Sequence, residues 1–350
     1  MYGGLSNHLY YCALPSSVTP AANEPSEVLV RFYGQARSLT TAELANPQIS
    51  REVASKMAKM HAMNVPISKE PTWMWNCMKR WLKSSDEFLR TSSAPSNIDP
   101  TSKRHSMLEK LRQVDFEEEM NFMKRIVTKI QSPVVFAHND MQEGNILFNN
   151  NALRFSDKIS LIDFEYCSYN HRGFDVANHF CEWVYSYKLQ EEPYFTHDIK
   201  AFPNKNQQLN FIRAYLTAYE AACGRKISQT SESNGLNNGK NLVSSSESRT
   251  KTPCASHSEN TSDNNDTEKE TQLSVSHPAE EKLLQEVQVF TLTSHLFWTL
   301  WSIVQGHVSE IPFGYLEYGL VRLNHYNECK RLLKCEEFVK RKSDHITTKD

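Results

Sequence analysis

Four side chains in two short stretches have the types and spacing for one kind of chemistry. The stretch His138-Asn139-Asp140-Met141-Gln142-Glu143-Gly144-Asn145 places a carboxylate two residues after a histidine and an amide five residues beyond it. The stretch Ile162-Asp163-Phe164-Glu165 closes an apolar run on a second carboxylate. Transfer of a phosphoryl group to a hydroxyl needs a carboxylate beside the attacking oxygen and at least one Mg2+ bridging the phosphates of ATP. Asp140 meets the first need as the catalytic residue. Asn145 and Asp163 offer hard oxygen ligands for the metal.

The flanking residues read as the elements that would hold these groups. Val134-Val135-Phe136-Ala137 reads as a strand delivering the loop, Ile146-Leu147-Phe148 as the strand leaving it, and Ile159-Ser160-Leu161-Ile162 as that strand's partner, ending on Asp163. The His-x-Asp-x-x-x-x-Asn spacing is that of a kinase catalytic loop, and Asp163 stands where a kinase fold puts its metal-binding Asp-Phe-Gly. In such loops the histidine packs and bonds the backbone, so His138 is read as structural rather than as a base. In Asn170-His171-Arg172-Gly173-Phe174-Asp175, Arg172 and Asp175 are further structural candidates, although an Asp before a helix is as often a plain N-cap.

Along the chain, residues 1–34 read as strand material. Asn46-Pro47 is a helix start with an apolar stripe at Ile49, Val53, Met57 and Met60. Further helices are expected at Trp73–Leu89, Met107–Ile130, Phe174–Tyr187, Gln207–Ala222, Ala279–Gly306 and Tyr315–Leu333, with a linker at Thr91–Lys103. Residues 225–278 are dominated by Ser, Asn, Thr, Glu and Lys. They hold too few aliphatics to offset their ordering entropy, and are expected to loop out as a disordered insertion.

Beyond these patterns, the wording of the motifs carries a resemblance. The runs VVFAHNDMQEGNIL (134–147) and LIDFEYCSYNHRGFDVANHFCEW (161–183) are similar to the choline kinase family, and Gln142-Glu143-Gly144 is more like its choline than its ethanolamine members. The run Ser294–Gln305 resembles the family's late helix, and Phe313-Gly314-Tyr315 with Tyr318 its C-terminal pocket. Near the start, Gly3-Gly4-Leu5-Ser6-Asn7 resembles its nucleotide loop, and the run from Val28 to Gly34 the strand with the phosphate-contacting basic residue, here Arg31.

The resemblance implies an α+β, two-lobed protein-kinase-like fold with a small, truncated β-rich N-lobe (1–45) and a large helical C-lobe (46–224 and 279–350) interrupted by 225–278. It implies nucleotide binding by Gly3, Gly4, Ser6, Asn7 and Arg31, and a choline pocket lined by Tyr187, Trp298, Trp301, Phe313 and Tyr318. Glu165 and Glu182 would be its counter-charges. A quaternary ammonium donates no hydrogen bond, so aromatic faces and nearby negative charge must recognise it. By spacing alone the same aromatics read as ordinary core; the family match reverses that. Asp175 would brace the catalytic loop. The expected activity is ATP-dependent phosphorylation of choline, with ethanolamine as a poorer substrate, by a cytoplasmic homodimer.

One departure from the family is large. Only Gln35–Asn46 separate Tyr33-Gly34 from the helix at Pro47. A three-turn helix alone takes about eleven residues, so the usual helix with its glutamate, two strands and the adenine-binding hinge do not fit. Glu43 lies on the wrong side of that gap to replace the missing glutamate. The alternative expectation is therefore a catalytically impaired form that still binds choline or pairs with another subunit. A kinase for aminoglycosides is disfavoured, because polyamine sugars call for carboxylates rather than rings.

The 350 residues allow two lobes, and a net charge of -2 gives no electrostatic case for nucleic acid or an anionic membrane. No apolar run is read as a membrane span, and Met1-Tyr2-Gly3-Gly4 does not open as a signal peptide. The eight cysteines form no C-x-x-C pair and are read as reduced thiols.

Overall fold

The computed structural model describes residues 2–4, 7–13, 27–33, 36–91, 101–224 and 277–347, with side chains at 36–90, 101–224 and 277–333. Strands β1 (Tyr2–Gly4), β2 (Asn7–Ala13) and β3 (Glu27–Tyr33) form an antiparallel sheet in that order, with Leu9 opposite Arg31. The roles expected of Gly3, Gly4, Asn7 and Arg31 rest on side-chain surroundings outside the described residues, as does Ser6 altogether. The insertion expected at 225–278 also lies outside them, except at its end. His277 there caps a helix that starts at Pro278, so the insertion boundary falls short of 278.

Strand β4 (Ala36–Ser38) and the single turn α1 (Thr41–Leu44) fill the stretch before α2 (Pro47–His61). Thr40 and Glu43 close a capping box on α1. Glu43 also takes two hydrogen bonds from Arg37, at 2.6 and 2.8 Å. Those bonds above all pull its carboxyl down to about 2. Glu43 is thus engaged by the cap of its own turn and by Arg37 of β4. Asn46 caps α2 by accepting from the backbone N–H groups of Gln48 and Ile49, and Ile49, Val53, Met57 and Met60 are buried.

Helix α3 (Trp73–Thr91) is followed by α4 (Lys103–Arg112) and α5 (Phe116–Ile130). The single helix expected over 107–130 is two. Asp115 accepts from Glu118 N and starts α5 afresh, with Glu117, Glu118 and Glu119 at its positive end.

Strand β5 (Val134–Ala137) delivers the catalytic loop, and β6 (Ile146–Asn149) leaves it to pair with β7 (Ile159–Leu161). Strand β5 pairs instead with β8 (Ser168–His171), while β6 lies between β4 and β7. The loop therefore bridges two small sheets and is anchored in both. Helix α6 (Arg172–Glu182) follows. The helix expected to reach Tyr187 stops at Glu182, because Tyr185–Ser186 leaves as β9 to pair with β10 (Thr196–His197).

Three more helices follow among the described residues: α7 (Lys205–Ala222), α8 (Pro278–Val308) and α9 (Tyr315–Thr347). Helix α8 packs against α3, α5, α6, α7 and α9. Leu296, Phe297, Leu300 and Ile303 are wholly buried there, each stabilising the fold by about 2 kcal/mol. Contrary to expectation, α8 is long and apolar enough to cross a membrane, yet 83% of its apolar window is buried inside the protein. Gly319 lets α9 approach α8, since a Cβ there would lie 2.3 Å from Ser302 Oγ.

Candidate active site

The loop carrying Asp140 is held by one buried carboxylate. Asp175, in the first turn of α6, accepts the backbone N–H of His138 at 2.9 Å and of Asn139 at 2.8 Å. It also accepts His61 Nε2 at 2.9 Å; an ionised carboxylate can only accept, so that nitrogen carries the proton. Burial works to raise the Asp175 pKa but is outweighed by these bonds and by the nearby histidines, which hold it below the usual value. Asn139 sits in the left-handed region at φ 67°. Its side chain is pinned by bonds to Tyr166 O, Ser168 Oγ and Asn170 Nδ2.

His138 is wholly buried. Its Nε2 donates to Ile162 O at 2.9 Å, and its Nδ1 accepts the backbone N–H of Asp140 at 3.3 Å. Both ring nitrogens are committed to the backbone, leaving neither to act as a base. Arg172 is locked to Glu286 on α8, away from the loop, through Nε at 3.1 Å and Nη2 at 2.5 Å.

Asp140 is half-buried at the tip of this scaffold. Burial, then the negative charges of Glu182 and Asp163, push its carboxyl well above the usual range. Asn145 donates Nδ2 to Asp140 Oδ2 and to Asp140 O, both at 2.9 Å. With Nδ2 so committed, Oδ1 is the atom of Asn145 suited to a cation. Ile162 N donates to Asn145 O at 3.0 Å, which brings Asp163, exposed and at φ 64°, alongside. Among the described residues, no cluster of three or more His, Cys, Asp or Glu side chains is placed to hold a metal. One carboxylate and one amide oxygen nevertheless fit Mg2+, which keeps waters and substrate phosphates as its other ligands.

Beside Asp140 opens a cavity of about 270 Å³. All seven side chains expected at the acceptor pocket line it together with Asp140: Glu165, Glu182, Tyr187, Trp298, Trp301, Phe313 and Tyr318. They arrive from the segment after β7, the end of α6, the residue just after β9, α8, the loop between α8 and α9, and the start of α9. Trp298 and Trp301 meet edge to face with centroids 5.3 Å apart, and Tyr318 lies 6.5 Å from Trp301. Such edge-to-face walls present π faces to a cation.

Glu182 does not serve as the bare counter-charge expected of it. It is buried in an ion pair with Arg322 on α9 and accepts the Tyr187 hydroxyl at 2.7 Å. Its charge is compensated within the wall. Glu165 remains as an exposed carboxylate at the cavity. Tyr315, part of the run that resembles the family's C-terminal pocket, lines the cavity too, and Gln142, Tyr166 and Ile311 also line it without having been singled out from the sequence as binding residues. Two supporting residues were likewise missed. Asn178 joins Trp298 to the catalytic loop. Arg322 follows Tyr318 by one helical turn, a spacing that could have flagged it.

A family model described as choline/ethanolamine kinase matches residues 35–327. A choline/ethanolamine kinase of Homo sapiens is 34% identical over 369 aligned positions, taking in 94% of this chain and 78% of that relative. Choline kinase alpha of Mus musculus is 32% identical, with 95% of this chain and 75% of that one covered. The crystal structure of a choline kinase from Cryptosporidium parvum superposes with a TM-score of 0.59 at 22% identity, covering 96% of this chain and 89% of the other. At that identity the likeness speaks for the two-lobed kinase fold alone.

Proposed function

Since the chain belongs to the choline/ethanolamine kinase family, we propose that it phosphorylates choline with ATP. The observation that carries this reading is the single cavity in which the aromatic wall and Asp140 meet. An ammonium seated against Trp298, Trp301, Phe313 and Tyr318 leaves its hydroxyl arm to reach toward Asp140. Asp140 orients that hydroxyl and takes its proton as the oxygen bonds the γ-phosphorus. The bond from phosphorus to the β–γ bridging oxygen breaks, and ADP leaves with that oxygen. Asn145 Oδ1 and Asp163 would hold Mg2+, which supplies neutralisation of the phosphate charge. Ethanolamine enters the same pocket with fewer methyl contacts and is the poorer substrate. The form we propose is a cytoplasmic homodimer, which light scattering after size exclusion checks.

A second reading rests on the stretch between β3 and α2. Its described residues hold only β4 and the one turn of α1, and Glu43 there is bound to Arg37. A chain with this shortened lobe would bind choline yet hold ATP poorly. Mg-ATP-dependent formation of phosphocholine separates the two, with Asp140→Asn as the blank. Turnover that this substitution abolishes supports the kinase. Saturable choline binding without turnover supports the second reading, and neither turnover nor binding sinks both.

A further inference from the structure

A permanent cation lies directly behind the wall that would receive another. Arg322 is wholly buried on α9, its guanidinium 4.0 Å from the ring centroid of Tyr185 and 5.0 Å from that of Tyr318. Its Nη2 donates to Glu182 Oε1 and, at 2.6 Å, to the Tyr318 hydroxyl. Nε donates to the same hydroxyl at 2.9 Å. Glu182 Oε2 accepts the Tyr187 hydroxyl at 2.7 Å, and the Tyr187 and Tyr318 hydroxyls are 3.1 Å apart.

The proton directions follow from these contacts. The Tyr318 oxygen accepts from the arginine, so its own proton goes to the Tyr187 oxygen, whose proton goes to Glu182. Three side chains of the acceptor pocket therefore hang from one guanidinium, and neither the Tyr187 nor the Tyr318 proton is left to point into the cavity.

The charges are arranged to match. An unpaired arginine here would repel an ammonium, and an unpaired glutamate would be costly to bury. Paired, they leave the wall neutral. His295 Nδ1 lies 3.5 Å from Arg322 Nη1, and His325 Nδ1 is 2.8 Å from the Tyr185 hydroxyl. Burial first and the charge of Arg322 second hold both rings below the ordinary histidine range, His325 at about 4. Neither adds positive charge behind the pocket at neutral pH.

We propose that Arg322 is the positioning residue of the acceptor pocket: its fork sets the Tyr318 ring and, through Glu182, the Tyr187 ring in the orientation that receives the substrate's ammonium. This rests on the reading of the cavity as a choline site. A lysine could neutralise Glu182, but its rotatable ammonium lacks the rigid planar fork that fixes carboxylate and phenol in one geometry. A purely structural ion pair makes a different prediction, because any replacement that balances the charges would then suffice.

The test is choline affinity, read from the fluorescence of the pocket tryptophans, beside the thermal melt of the same proteins. Arg322→Lys is expected to melt near the wild type and bind choline about ten-fold more weakly. The charge-balanced pair Arg322→Met with Glu182→Gln is expected to do the same. A folded Arg322→Lys variant with wild-type choline affinity overturns the proposal. Should that variant fail to fold, the double variant decides alone: weakened binding supports positioning, and wild-type affinity overturns it. A wild-type chain that binds no choline removes the reading of the cavity and this inference with it, whereas wild-type binding with unaltered variants removes only the inference.

Discussion

Asn178 accepts the indole N–H of Trp298 at 2.7 Å, on the same side-chain oxygen that accepts the Ser294 hydroxyl at 2.8 Å. Two donors on one atom identify it as the amide oxygen, so the amide nitrogen faces the other way, toward Asn139 O at 3.4 Å. A wholly buried amide on α6 thus ties the aromatic wall to Asn139, the residue before Asp140. Asn178→Leu leaves an indole N–H and a hydroxyl unpaired in the core. Unfolding in urea is expected to show a loss of about 2–4 kcal/mol, and calorimetry a weaker choline affinity.

In the proposed reaction Asp140 takes the proton of the acceptor hydroxyl. Asp140→Asn is expected to lower phosphocholine formation by about 10²–10⁴-fold while choline still binds, as single-turnover and binding assays would report. Only the ionised carboxylate is a base, and burial with Glu182 and Asp163 raises its pKa. The acid limb of kcat/KM should therefore rise with pH through a value above the ordinary carboxylate range.

The same shift has a consequence for stability. A carboxyl whose pKa is higher folded than unfolded binds its proton more tightly when folded. It therefore destabilises the fold as pH rises from its unfolded value through its folded one. At neutral pH the isosteric Asp140→Asn should raise Tm; an unchanged or lower Tm in calorimetric scans would contradict this.

Asp175 runs the other way. Its pKa is held down, so its contribution is present above the unfolded value and is lost as pH falls through the folded one. Asp175→Asn turns an amide N–H2 toward backbone donors and is expected to cost about 3–5 kcal/mol in denaturant titration. Hydrogen exchange at His138 and Asn139 should accelerate in the same variant.

With Glu182 compensated by Arg322, the exposed Glu165 is the carboxylate whose field reaches an incoming cation from the cavity mouth. Glu165→Gln should raise the KM for choline by about two- to five-fold with kcat little changed. The difference should shrink on going from low to high salt, since exposed charges are screened. A salt-independent effect would count against this assignment.

The linear order of residues was enough for much of what short-range geometry governs. Loop spacing singled out Asp140 and Asn145 as candidates, the apolar run before Asp163 singled out that residue, and the cap at Asn46 and the stripe from Ile49 to Met60 placed α2. Family wording, rather than periodicity, turned the aromatics of α8 and α9 from core into pocket. The break at Asp115 was legible as a cap but was overridden by a continuous apolar period on either side of it. What the tertiary structure alone decided was the state of the charges. Glu182 and Arg322 lie 140 residues apart, and only the packing of α6 and α9 on α8 brings one to cancel the other. Spacing along a chain reports which side chains share a face of one element; which charges lose their water together, and so must pair, is settled only when the elements meet.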